Sequence, residues 1–90
     1  MTTKPLPDIG SVFGEVLTRH RTNAGISQEE LALRADVDRT FVSRLERGIR
    51  QPTITTLFAI AQALDVQAAD LVRETEHLLR RKSPAKKNSP

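Results

Sequence analysis

The sequence predicts an all-α fold, one compact domain of five short helices. Three observations carry this. Five segments between residues 9 and 81 place apolar residues three and four apart, none alternates as a half-buried strand does, and capping or turn residues separate them at short intervals. The length of 90 residues fits one small domain.

The first helix is expected over Ile9–Asn23, where Ile9, Val12, Phe13, Val16, Leu17 and His20 share one face. Asp8 can cap its start, and Gly25 stops it. The second opens on Ser27-Gln28-Glu29-Glu30, a capping box in which Ser27 and Glu30 can satisfy each other's orphan amides. It continues through Leu31, Ala32 and Ala35 and meets the turn Asp36-Val37-Asp38. The third opens at Asp38, an N-cap residue, and ends before Gly48. The fourth follows Pro52 with Thr53 as its cap, and puts Ile54, Leu57, Phe58, Ala61 and Leu64 on one face. The fifth spans Ala68–Arg81 with an apolar stripe of Leu71, Val72, Thr75, Leu78 and Leu79.

The domain therefore covers residues 8–81. Residues 1–7, polar with two prolines, read as a flexible arm, and residues 82–90 as a basic disordered tail. Connections of a few residues require consecutive helices to pack as neighbours. Phe13, Phe41 and Phe58 are expected to pack in the core rather than stack on bases, with Phe41 at its border. About 70 ordered residues bury only a modest core, and pairing through the fourth and fifth helices would enlarge it.

Composition excludes several classes of function. Without cysteine there is no disulfide framework, thiolate metal site or cysteine nucleophile. The longest apolar run, Leu57–Ala61, is far short of a membrane span, and Met1–Gly10 lacks an apolar signal core. A soluble cytoplasmic protein is expected. No nucleotide-binding glycine loop is present, and the two histidines fall in different helices. His77 beside Glu74 and Glu76 is no zinc set, and His20 reads as a satisfied boundary residue. The expectation is no enzyme, no cofactor, no metal and no small-molecule ligand.

Charge becomes informative once divided. The net charge is +3, yet residues 80–90 contain five basic and no acidic groups, leaving nine basic and eleven acidic groups before them. The tail thus reads as a nonspecific polyelectrolyte arm or a second nucleic-acid contact. Within the folded part, residues 34–50 hold five arginines against Asp36, Asp38 and Glu46.

The third helix organises that patch. At ~100° per residue from Arg39, Ser43 lies at ~40°, Arg47 at ~80°, Thr40 at ~100° and Arg44 at ~140°. Phe41, Leu45, Ile49 and Val42 take the opposite side, at ~200° to ~300°, and Glu46 sits at the edge of the core side, at ~340°. A solvated face ordinarily mixes signs to gain pairs along the helix; this arc has no acid. Arginine can pair bidentately with guanine, and threonine offers a methyl and a hydroxyl, so the arc suits a DNA major groove.

Helix, short turn and helix around Asp36-Val37-Asp38 form a helix-turn-helix arrangement. The stretch Ser27 to Leu64, SQEELALRADVDRTFVSRLERGIRQPTITTLFAIAQAL, resembles the phage-repressor family (Cro/CI-like, XRE). The resemblance rests on Gln28, Leu31-Ala32, Val42-Ser43, Leu45-Glu46, Gly48 and Pro52-Thr53 in register, and with the flanking helices it covers about residues 9–79. Asp38 to Ser43 most resembles the controller proteins of restriction-modification systems.

The resemblance implies a five-helix lambda-repressor-like domain and a homodimer on a near-palindromic operator in double-stranded DNA. It implies base contacts from Arg39, Thr40, Ser43 and Arg44. Ser27, Gln28, Arg47, Arg50, Gln51 and Thr53 would hold the backbone or groove edges, though Arg50 and Gln51 also read as ordinary loop residues. In the same resemblance Glu46 is structural, paired with an arginine of the second helix, for which Arg34 is the candidate. Asp36 and Asp65 stand where the family often has glycine at a helix end; aspartate tolerates the left-handed conformation. The alternative is an antitoxin or adaptor whose main partner is a protein, separable by whether a restriction endonuclease or a toxin is encoded beside it.

Overall fold

Short side-chain oxygens open three of the five helices. Asp8 Oδ1 accepts from the Ser11 amide at 3.3 Å, Ser27 Oγ from Glu30 at 3.0 Å and Thr53 Oγ1 from Thr56 at 3.1 Å. Asp38 occupies the N-cap position of the third helix without a side-chain bond. The computed structural model describes residues 8–82. Its elements are α1 (Ile9–Asn23), α2 (Gln28–Ala35), α3 (Arg39–Glu46), α4 (Ile54–Ala63) and α5 (Ala68–Lys82), with no strand among the described residues. The expected arm at 1–7 and residues 83–90 of the tail lie outside the described residues; Lys82 closes α5.

Backbone handedness sets the helix ends. Gly25 and Gly48 have φ of 75° and 78°, and Asp36 and Asp65 reach 60° and 59° in the same left-handed region. Asp36 thus makes the turn between α2 and α3 in place of glycine. The Ser27 capping box is half made: Ser27 accepts from Glu30, but the Glu30 carboxylate turns to Arg34 at 2.8 Å.

The core joins all five helices through Leu17, Leu31, Leu45, Ile60 and Leu71, each fully buried. α1 packs on α3 and α5, α2 on α3 and α4, and α4 on α5. Gly14 permits the approach of α1 to α3. A Cβ there would stand 2.4 Å from the Glu46 carbonyl oxygen and 2.7 Å from that of Leu45, so only glycine lets α1 lie against the end of α3.

The expected buried face of α4 requires correction. Leu57, Ala61 and Leu64 are buried as their spacing predicts, but Ile54 and Phe58 are 68% and 61% exposed and the fully buried residue is Ile60. The helix is turned so that its core face runs through Leu57, Ile60, Ala61 and Leu64, which leaves Phe58 outside the core. Val72 of α5 is likewise half exposed, beside Phe58 and Ile54 along one cleft. Ile49 lies past the end of α3 and is exposed.

Candidate nucleic-acid interface

The exposed arc predicted for α3 is formed. Val42 and Leu45 are fully buried and Phe41 packs against the core, which turns Arg39, Thr40 and Arg44 to solvent. Arg47 caps the helix and is also exposed, and Ser43 is half-buried between these neighbours. After α3 the chain curls back over its last turn, with the Ile49 and Arg50 amides donating to the Arg44 carbonyl at 2.9 and 3.3 Å. That curl places the exposed Arg50 beside the same helix, while the side chain of Gln51, also exposed, lies over Gly10 at the start of α1.

Ion pairing sorts the arginines into two sets. Arg19, Arg21, Arg34, Arg73 and Arg80 each meet a carboxylate, and so does Lys82. Arg39, Arg44, Arg47 and Arg50 meet none among the described residues, and neither does Arg81 near the end of α5. Four unneutralised guanidinium groups therefore gather on and just after one helix, the pattern of a surface that attracts an anion.

The clamp behind this surface differs from the expected one. Glu46 pairs with Arg21 of α1, not with Arg34, whose guanidinium is taken by Glu30 one turn earlier in α2. Arg21 Nε and Nη2 donate to the two Glu46 oxygens at 2.6 and 3.1 Å, while Nη1 donates to the Ile26 carbonyl at 2.8 Å. Burial alone would raise the Glu46 carboxyl; hydrogen bonds from Arg21 and Gln28, with the Arg21 charge, outweigh it and hold the group below its ordinary value.

Gln28 belongs to the same cluster. Its Nε2 donates to Glu46 Oε1 at 2.9 Å, so a phosphate at this corner would share the amide with a buried carboxylate. Ser27 and Thr53 hold helix ends with their oxygens, and Thr53 Oγ1 also donates to Thr56 Oγ1 at 3.1 Å. Spacing gave no sign of Arg21, because it sits among the polar residues at the end of α1. A lone acid at the edge of α3's apolar face was the available signal that some cation must meet it.

A helix-turn-helix sequence model matches residues 17–71, from the second half of α1 into α5. The chain belongs to the helix-turn-helix family. Among its relatives, the HTH-type transcriptional regulator y4dJ of Sinorhizobium fredii is 39% identical over 77% of this chain and 90% of that protein. Control protein C.BamHI of Bacillus amyloliquefaciens is 36% identical over 72% of this chain and 82% of its own length. The solved structure of the restriction-modification controller protein C.AhdI from Aeromonas hydrophila superposes with a TM-score of 0.68 at 37% identity, covering 69% of this chain and 94% of that one. The clp gene regulator ClgR from Corynebacterium glutamicum reaches 0.83 at 25% identity over 92% and 88%. The family is one of transcriptional regulators rather than enzymes. Among the described residues no helix is long and apolar enough to cross a membrane, and no cluster of potential metal ligands occurs.

Proposed function

We propose that this helix-turn-helix regulator is a restriction-modification controller that binds a near-palindromic operator as a homodimer. The observation that carries the reading is the acid-free arc of unpaired arginines on and after α3. α3 enters the major groove, where Arg39, Thr40, Ser43 and Arg44 face base edges. Arg47, Arg50 and Gln51 meet phosphates beside the groove, and Ser27, Gln28 and Thr53 present the starts of α2 and α4 to the backbone.

The controller reading draws support from relatives named as control proteins and from the likeness to C.AhdI. The dimer is formed through α4 and α5. Ile54, Phe58 and Val72 make an exposed apolar strip there, the kind of surface that marks a contact. Two copies related by a two-fold axis would set their α3 helices into successive major grooves ~34 Å apart.

Selection from a random duplex pool at ~0.15 M salt, a level that weakens nonspecific backbone binding, tests this reading. An enriched inverted repeat is expected. Folded protein that enriches nothing would transfer the exposed α4 and α5 strip to the second reading, an antitoxin or adaptor bound to another protein.

A further inference from the structure

Arg50 differs from the other unpaired arginines in having an aromatic ring beneath it. Its guanidinium carbon lies 5.7 Å from the centroid of the Phe41 ring, within reach of a cation–π attraction. The ring is half-buried and packs against the core, so it gives the exposed arginine a fixed support. The backbone directs the same approach: Gly48 turns the chain at φ 78°, and the Ile49 and Arg50 amides close onto the Arg44 carbonyl.

We propose that Phe41 is a positioning residue for Arg50. Its π face holds the guanidinium beside α3 before DNA arrives, so that less side-chain freedom is lost when Arg50 meets a phosphate. A leucine would fill the core side of position 41 and offer no such face. The proposal rests on the DNA-binding reading above and adds to it a residue that touches DNA only through its neighbour.

A double-mutant cycle tests it, with affinity for the selected operator duplex followed across a salt series. Arg50→Ala lowers the salt slope by about one. Phe41→Leu weakens binding about two- to fivefold while Arg50 is present and leaves the Arg50→Ala protein unchanged. Phe41→Tyr, which keeps the ring, binds as the unmodified protein does. In the free unmodified protein the Arg50 side-chain protons resonate upfield through the ring current, a readout that needs no variant to fold.

Equal weakening by Phe41→Leu in both backgrounds, or unshifted Arg50 protons, overturns the proposal. Failure of the unmodified protein to bind any duplex overturns the DNA-binding reading and the proposal with it. In that case a persisting ring-current shift shows that the stack exists without serving DNA.

Discussion

Arg21 and Glu46 close on each other through two hydrogen bonds, at 2.6 and 3.1 Å, with their side chains only 14% and 6% exposed. One guanidinium thereby ties the end of α1 to the end of α3, and through the Ile26 carbonyl to the loop before α2. The proposed recognition surface is held from behind by a charge pair that DNA need not touch. Removing one member leaves the other charged and mostly buried. Arg21→Ala is therefore expected to destabilise the fold by about 3 kcal/mol, read from urea unfolding. A loss within the range of an exposed pair, below ~1 kcal/mol, would show that water replaces the guanidinium freely.

Acid should weaken the same clamp. The Glu46 carboxyl titrates below its ordinary value in the folded protein, so the unfolded chain binds its proton first as pH drops. Its contribution is complete above the ordinary carboxylate value and is lost as pH falls through the depressed folded value. Unfolding free energy measured from neutral pH into that acid range should decline, and Glu46→Gln should decline less. Parallel curves for the two proteins would remove Glu46 from the acid response.

Two glycines separate crowding from backbone strain. A methyl group at Gly14 would run into the carbonyl oxygens of Glu46 and Leu45, which cannot swing aside as a side chain can. Gly14→Ala is expected to cost about 3 kcal/mol or more, because α1 must withdraw from α3. Gly25 has open space around its would-be Cβ but a φ of 75°. Gly25→Ala should cost about 1 kcal/mol from handedness alone. Thermal melts of the two variants should fall in that order, and the reverse order would place the tight contact elsewhere.

On the DNA side, the proposed base readers and phosphate holders should fail differently. Arg39→Ala or Arg44→Ala is expected to cost ~1–3 kcal/mol on the selected operator and to relax preference at one base position. Arg47→Ala should weaken all duplexes alike and lower the salt slope by about one. Repeating the random-pool selection with each variant reads both effects. An unchanged consensus for Arg39→Ala and Arg44→Ala would remove them from the base-reading set.

Much of this architecture was legible from local rules. Asp8, Ser27 and Thr53 cap where short oxygen side chains precede apolar periodicity, and α3 divides into core and arginine faces at 3.6-residue spacing. What escaped depends on contacts between helices. Glu46 joins Arg21 because Gly14 brings α1 against the end of α3, and nothing in either helix's own periodicity records that approach. Arg34 had a carboxylate one turn away on its own helix, and the local pair formed. In α4 every residue from Leu57 to Ala61 is apolar, so its pattern does not separate Phe58 from Ile60, and the face expected to be buried took Phe58 where the structure buries Ile60.

Phe58 then becomes the residue on which the proposed dimer is best tested. It is exposed beside Ile54 and Val72 and stands outside the buried core cluster. A charge at this position should leave the monomer folded while opposing the approach of a second copy. Phe58→Glu is expected to keep its melting temperature within a few degrees and to sediment as a monomer at micromolar concentration. Since each copy then holds one half-site without its partner, operator affinity should fall roughly 10²-fold. A variant that still sediments as a dimer and binds undiminished would exclude the α4 and α5 strip as the interface. One that stays monomeric yet binds the full operator as tightly as before would show instead that the two copies meet only on DNA.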